Sequence, residues 1–264
     1  MIANYHNHTY RCGHGKCDVT DEDYVRKAIE GGFQIMGFSD HNPMPTGIYD
    51  PQPGVRMTIE ELPEYVASVE ALQKKYGGEI KIYKALECEY SSELLPWLQE
   101  IRPQFDYFIT GTHWQLENHQ YVHFFQESSQ PEQIRRYTEI TIEAMETGLF
   151  SYLAHPDVVL ADYPTFDNAC IDSAYAICRK AKELNMPLEY NQYGMMKRSI
   201  GHNIGLCYPY NGFWEIAAEV GITGIIGLDA HRPSQYLKKD LIDQAENHLA
   251  SLGIPVLQTL PGLD

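Results

Sequence analysis

The feature that most constrains the fold of this chain is a repeat in which a short apolar run precedes a longer helical pattern. Seven runs have the length of strands, at residues 2–5, 33–38, 80–86, 107–110, 152–154, 187–190 and 222–228. Helix signals lie between them: Thr20 is the expected cap of a helix that stops at Gly31–Gly32, and the pair Thr58 and Glu61 predicts a helix that stops at Gly77. Repeated units of this kind predict an α/β protein with a parallel sheet.

Polar or metal-binding residues follow every one of these runs. In chain order they are His6 and His8, Asp40 and His41, Glu87 and Glu89, His113, His155 and Asp157, Glu189 and Asn191, and Asp229 and His231. An open sheet would spread these side chains along an edge, whereas in a closed parallel barrel all strand carboxyl ends meet at one rim. The pattern therefore favours a barrel of the TIM type with its site at the C-terminal rim.

The side chains at this rim are typical metal ligands. His6 and His8 are two residues apart, as are Asp229 and His231, so each pair points to one face of its strand. Imidazole and carboxylate suit zinc, iron or manganese better than calcium. The candidate ligands are His6, His8, His14, His41, Glu87, His113, His155, Asp229 and His231. One ion cannot use so many ligands, so we expect two or three divalent transition metal ions.

Composition narrows the function classes. The chain has 264 residues, which suits a single domain over residues 1–264, and a formal net charge of −16, which argues against binding to nucleic acid or anionic membranes. We see no signal peptide and no apolar run long enough to span a bilayer. The six scattered cysteines favour reduced thiols and a cytoplasmic protein. Cys12 and Cys17 flank His14, but no second cysteine pair with ligand spacing supports a zinc knuckle.

The ordered set of motifs resembles the PHP family, named for polymerase and histidinol phosphatase. The matching motifs run from His6 to Pro233: the opening HxH, then SDH, the glutamate at position 87, GTHW, HPD and DAH. The segments CGHG, FSDHNPMP, LECEY and LEYNQYGMMKR most resemble the stand-alone histidinol-phosphate phosphatases. The resemblance implies a distorted (β/α)7 barrel that binds up to three divalent ions at its rim.

The resemblance also implies roles for individual residues. One ion would be held by His6, His8, Glu87 and Asp229, a second by Glu87, His113 and His155, and a third by His14, His41 and His231. Glu87 rather than Glu89 would bridge two ions, and Glu87, Asp229 and His231 would be catalytic. Asp40 and Asp157 would orient imidazoles behind the ligands.

The implied reaction is hydrolysis of a phosphate monoester by metal-activated hydroxide. The expected substrate is L-histidinol phosphate, which would give L-histidinol and phosphate. Dications at the rim would attract a small anionic ester to an acidic chain. Substrate contacts are expected from Lys197, Arg198, Asn191 and Trp114. Arg11 and Arg232 are alternative phosphate ligands, and His119 and His123 are candidates for the pocket wall. The sequence indicates no oligomeric state.

Other functions remain open at this point. A related phosphoesterase could act on another small ester or on oligonucleotide ends, although the acidic balance disfavours the latter. An amidohydrolase usually needs a lysine after strand four, where this chain has GTHW. A metal store or regulatory module would favour closed coordination over an open rim.

Overall fold

The computed structural model describes residues 1–15, 18–50, 54–117, 120–124, 130–199 and 205–263. The strands are β1 Ala3–Asn4, β2 Ile35–His41, β3 Lys81–Cys88, β4 Tyr107–Thr110, β5 Trp114–Glu117, β6 Gln120–His123, β7 Leu188–Asn191 and β8 Gly224–Gly227. The helices are α1 Asp21–Gly31, α2 Leu62–Tyr76, α3 Leu95–Ile101, α4 Pro131–Glu146, α5 Asn168–Leu184, α6 Gln192–Ser199, α7 Asn211–Val220 and α8 Lys239–Ser251. The α/β class predicted from the repeat is confirmed.

The principal sheet is parallel and curled. Strands β1, β2, β3 and β4 pair in that order, and β7 pairs with β8. Isolated parallel bridges join Thr110 to Leu153 and Leu153 to Leu188, and a further bridge joins Asn7 to Ala230. The segments that follow β1 and β8 therefore lie side by side, so the first and last strands of the sheet approach each other.

Tyrosine side chains fill the inside of the curl. The ring of Tyr5, just after β1, lies 6.1 Å from that of Tyr83 on β3 and 5.7 Å from that of Tyr107 on β4. These strands are not neighbours of β1, so the sheet must bend around the rings. Gly37 on β2 makes room for them, because a Cβ there would lie 1.8 Å from the Tyr107 hydroxyl. A larger apolar core lies where the helices pack on the outside of the sheet.

Two helix starts were predicted, and one of them is wrong. Helix α1 begins after Thr20, which exchanges side-chain hydrogen bonds with Asp23, and it ends before Gly32 in the left-handed conformation. Helix α2 begins only at Leu62, although the Thr58 backbone N–H donates to Glu61 Oε2 at 2.7 Å. Pro63 lies in the first turn of α2, where its missing N–H removes no helical hydrogen bond. The proline therefore favours a helix that begins next to it, at Leu62.

The strand expected at residues 152–154 is also not formed as a strand. Leu153 makes only the two isolated bridges, because His155 adopts a positive φ of 28° and Pro156 follows. Three elements were not anticipated: the antiparallel β5–β6 hairpin, α3 and α6. Within the described residues, no helix is long and apolar enough to cross a membrane.

Candidate metal centre

Four buried side chains converge where β1, β3 and β8 end. His8 Nε2 lies 3.3 Å from Glu87 Oε2 and 3.1 Å from Asp229 Oδ1. His6 Nε2 lies 3.4 Å and 3.5 Å from the same two oxygens and 3.2 Å from His8 Nε2. Ligands about 2.0–2.1 Å from a tetrahedral ion stand about 3.4 Å apart, so these spacings fit one central ion.

The two carboxylates also leave oxygens without donors. Among the described residues, neither Glu87 Oε2 nor Asp229 Oδ1 accepts a hydrogen bond, although both side chains are almost fully buried. A buried anionic oxygen without a partner costs several kcal/mol unless a cation faces it. The donor set and the unpartnered oxygens therefore fit a divalent ion.

Carboxylates behind the two histidines fix their orientation. Glu189 Oε1 accepts from His6 Nδ1 at 2.8 Å, and Asp40 Oδ1 lies 3.4 Å from His8 Nδ1. Both rings therefore present Nε2 to the cluster, as metal-binding imidazoles do when a carboxylate holds the other nitrogen. The role of Glu189 was missed in the sequence, although its place at the end of a strand was visible.

Charge inside the cluster shifts the pKa of its members in opposite directions. Burial alone would lower the pKa of His6, but Glu189, Asp229 and Glu87 raise it well above its usual value. Burial would likewise raise the pKa of Glu87, but His6 and His41 bring it well below its usual value. The pKa of Asp229 is depressed in the same way, against its burial, by His6 and His231. The carboxylates are thus charged at neutral pH, as metal ligands must be.

Glu87 also faces a second group of imidazoles. Its Oε1 lies 2.8 Å from His155 Nε2 and 3.8 Å from His113 Nε2, while Oε2 lies 3.0 Å from His41 Nδ1. Glu89 instead lies behind His113, with Oε1 2.5 Å from its Nδ1. The two oxygens of Glu87 therefore point to different neighbours, which is the geometry of a bridging carboxylate.

His14 and His231 meet at a third point of the rim. Their Nε2 atoms lie 2.8 Å apart. His14 Nδ1 donates to the Cys12 carbonyl at 2.7 Å, and His231 Nδ1 donates to the Asp229 carbonyl at 2.9 Å. Both Nε2 atoms are then acceptors, and two acceptors at this distance repel unless a cation lies between them. Burial lowers the pKa of both rings, which disfavours a proton as that cation.

Two of the candidate ligands have strained backbones. His155 has a φ of 28° and Asp229 a φ of 48°, both in the left-handed region that non-glycine residues avoid. Such conformations cost about 1–3 kcal/mol each and concentrate at functional sites. In these conformations, the His155 side chain faces Glu87 and the Asp229 side chain faces His6.

A cavity of about 620 Å³ opens above these ligands. Lys197 and Arg232 contribute positive charge to its wall, and Trp114 contributes an aromatic face, while His123 stacks against Trp114. Arg56 was missed: it is buried, lies 4.3 Å from the Trp114 ring centre and donates to the Asn42 carbonyl at 3.1 Å. Its signal in the sequence was its place in the long loop at residues 42–57.

Several predicted site residues lie elsewhere. Arg198 is exposed on α6 and is not part of the cavity wall. Asn191 is buried beneath the cluster, where Nδ2 donates to Asp229 Oδ2 at 3.2 Å. Asp157 accepts a hydrogen bond from the Tyr210 backbone N–H at 2.7 Å. This contact lies at the start of α7 and involves no imidazole. Arg11 pairs with Asp21 at 2.9 Å. His119 lies outside the described residues.

Known proteins resemble this chain over most of its length. A probable histidinol-phosphatase of Deinococcus radiodurans is 28% identical over 242 residues, which cover 89% of this chain and 88% of the relative. A histidinol-phosphatase of Bacillus subtilis is 26% identical, with 86% of this chain and 92% of the relative covered.

A solved structure shares the fold. It is a histidinol phosphate phosphatase of Lactococcus lactis, complexed with zinc, L-histidinol and phosphate. The TM-score is 0.75 at 19% identity, and the alignment covers 100% of this chain and 98% of the other. A family model described as the PHP domain matches residues 4–193, well over half of the sequence, and the chain therefore belongs to the PHP domain family, as its motifs predicted.

Proposed function

We propose that this protein is a metal-dependent phosphomonoester hydrolase whose substrate is L-histidinol phosphate. The observation that carries the hydrolase is the convergence of His6, His8, Glu87 and Asp229 with two buried oxygens that lack donors among the described residues. The substrate rests on the names of the two relatives that match nearly the whole chain.

Three sets of side chains would hold the ions. The first is His6, His8, Glu87 and Asp229, the second Glu87, His113 and His155, and the third His14, His41 and His231. Zinc, manganese and iron all suit these nitrogen and oxygen donors. Glu87, Asp229 and His231 would act in catalysis as ligands, and Glu87 would be shared by two ions.

The remaining side chains have distinct tasks. When bound, divalent ions supply Lewis acidity, which makes water a nucleophile near neutral pH and neutralises charge on a phosphoryl group. Lys197 and Arg56 bind the phosphoryl oxygens from the cavity wall, since both line it and both carry positive charge. Trp114 lines the cavity where the imidazole of the leaving group would lie. Glu189, Asp40 and Glu89 hold the imidazoles that face the reaction.

We further propose that the curled sheet closes into a distorted (β/α)7 barrel, a single domain with the metal site at its C-terminal rim. The support comes from the bridge between Asn7 and Ala230, which joins the segments after the first and last strands, and from the bridges of Leu153 to both of its neighbours. The seven members are then β1, β2, β3, β4, the segment at Leu153, β7 and β8.

Release of free phosphate from metal-characterised protein tests the function. We expect kcat/KM for L-histidinol phosphate to exceed that for a generic aryl phosphate by at least about 100-fold, since polar contacts to a leaving group can discriminate by about 10⁴-fold. Equal turnover of the two esters would remove the substrate assignment and keep the phosphatase. Absence of hydrolysis of any phosphate ester by metal-loaded protein would remove both.

The cavity wall offers a matched pair of variants. Lys197→Met should raise KM by about 10–100-fold, because a charge-assisted hydrogen bond to phosphate is worth about 1.5–3 kcal/mol. Arg198→Met, one residue along the same helix but exposed and outside the wall, should leave KM unchanged. An equal effect of the two changes would show that Lys197 does not contact the phosphate.

A further inference from the structure

We propose that the thiolate of Cys12 is a ligand of the ion assigned to His14 and His231. The inference rests on the metal sites of the proposed function, and it adds a sulfur donor to a centre otherwise built from nitrogen and oxygen. It makes this one site chemically different from the other two.

Three ligand atoms meet at this point. The sulfur of Cys12 and a ring nitrogen from each of His14 and His231 all lie within 4.8 Å of one another. Around a tetrahedral zinc ion with bonds of about 2.3 Å to sulfur and 2.0–2.1 Å to nitrogen, sulfur and nitrogen stand about 3.6 Å apart. To bind one ion, the sulfur would move toward the two nitrogens, and the nitrogens, which are 2.8 Å apart, would separate slightly.

The two imidazoles face each other beside Cys12. Each uses Nδ1 to donate to a backbone carbonyl, so each presents a lone pair on Nε2, and the two Nε2 atoms face each other at 2.8 Å. This arrangement calls for a cation independently of the cysteine. Cys12 lies on the buried side of the pair, with an exposed fraction of 0%, while His14 covers the solvent side.

The local backbone holds the sulfur in place. Thr9 caps the short 3-10 turn Tyr10–Cys12, and Gly13 reverses the chain with a φ of 70°. The loop then returns past Cys12, so that the Gly15 backbone N–H donates to the sulfur at 3.1 Å. A backbone donor of this kind stabilises negative charge on sulfur. Burial and the nearby Asp40 raise the pKa of the Cys12 thiol in the metal-free protein, so the thiolate forms only as a bound ion displaces its proton. The same turn positions the Cys12 carbonyl to hold His14.

The sulfur also borders the first ion's ligands. It lies within 4.8 Å of possible ligand atoms of His8 and Asp40, so Cys12 also adjoins the first group of histidines. A thiolate is a soft donor that favours zinc over manganese or magnesium, which prefer oxygen. We therefore expect the site with Cys12 to select zinc, while the two sites with nitrogen and oxygen donors accept a wider range of ions.

Cobalt substitution reads the sulfur directly. Wild-type protein loaded with Co²⁺ should show the intense near-ultraviolet absorption of a thiolate bound to cobalt. Cys12→Ser should lose this band, whereas Cys170→Ser should keep it, because Cys170 is an equally buried thiol in α5 whose sulfur donates toward the Thr165 carbonyl. X-ray absorption of the zinc protein should include a scatterer at about 2.3 Å in addition to those at 2.0–2.1 Å.

Metal titrations give the selectivity. Cys12→Ser should weaken one zinc site by at least about tenfold, since even residues behind a ligand contribute that much, and should change manganese affinity far less. Wild-type protein that binds cobalt and hydrolyses phosphate esters without a thiolate band overturns this inference and leaves the proposed function intact. A band that persists in Cys12→Ser also overturns it. Failure to bind cobalt at all would instead overturn the metal sites on which both proposals rest.

Discussion

At the scale of single residues, Glu87 and Glu89 show how two carboxylates on one strand take different tasks. Glu87 faces five imidazoles through its two oxygens, and Glu89 lies behind one of them, His113. Glu87→Gln removes the negative charge that two proposed ions would share. Glu89→Gln alters only the hydrogen bond that orients one proposed ligand, His113.

We therefore expect Glu87→Gln to lower hydrolysis by more than about 100-fold and to reduce the metal content of the purified protein. Glu89→Gln should cost about 10–100-fold, the range for residues that hold a metal ligand. Elemental analysis and phosphate release on the two proteins compare them directly. Similar metal content and similar rates would show that Glu87 does not bridge.

Protons and metal ions compete for the same nitrogen atoms. In the metal-free protein, burial lowers the pKa of His6 and His8, but the neighbouring carboxylates outweigh it and raise the pKa of both well above the usual value. The two rings therefore hold protons more tightly than a free imidazole does, and an ion must displace them. Apparent metal affinity should therefore rise with pH until the pKa of each ring is passed, and fall as the solution is acidified.

Calorimetry at pH 7 in buffers with different ionisation enthalpies measures the displaced protons. We expect about one to two protons to be released per chain as zinc binds. His248→Gln is a suitable control, because the His248 ring lies in α8 and packs on Tyr190 of β7. This substitution should leave the number of released protons unchanged. Zinc binding without proton release would contradict the assignment of His6 and His8 as ligands.

At the scale of elements, a glycine in β8 leaves room for Glu189, the carboxylate behind His6. Gly227 ends β8 with a backbone that alanine can adopt, but a Cβ there would lie 1.7 Å from Glu189 Oε1. Gly227→Ala must therefore push Glu189 away from His6 Nδ1.

We expect Gly227→Ala to weaken metal binding by about 10–100-fold while the protein still folds. Gly78→Ala provides the comparison, since a Cβ at Gly78 meets no atom within 4 Å. Metal affinity by competition with a chelator and helix content by circular dichroism separate the two effects. Unchanged affinity in Gly227→Ala would mean that Glu189 does not orient His6.

The sequence predicted the elements that follow local rules and missed those that depend on distant partners. Thr20 and Gly32 delimit α1 through their own hydrogen bonds and backbone, so its ends could be predicted from neighbouring residues. The strand ends predicted which side chains come together for the same reason, because alternation fixes which side chains share a face. Arg198 was indistinguishable from Lys197 in sequence, since only the packing of α6 decides which one faces the cavity. Arg56 depended in the same way on a contact with Trp114, far along the chain.

At the scale of the whole molecule, the proposed metal ligands come from opposite ends of the strand order. Within the described residues, His6 and His8 lie next to the first strand, and Asp229 and His231 follow the last one. Ions that bind only the folded arrangement must stabilise it by mass action.

Removal of the ions with a chelator should therefore lower Tm by at least about 5 °C, because saturation at 100 times Kd contributes about 2.7 kcal/mol and each kcal/mol shifts Tm by about 2–4 °C at this size. Differential scanning calorimetry before and after treatment, and again after zinc is restored, measures the shift. A Tm that is indifferent to the chelator, with metal loss verified, would contradict ligation across the two ends of the chain.

The contact between His14 and His231, 217 positions apart, has a consequence for how the protein is made. During synthesis the amino-terminal histidines leave the ribosome long before their partners exist, and the Asn7–Ala230 bridge cannot form until the last strand has emerged. A growing chain thus carries an open set of imidazoles that can pick up ions loosely but cannot enclose them. Loading of the complete proposed centre must wait until the segment after β8 has emerged, and a chain cut short before residue 229 would lack two of the proposed ligands.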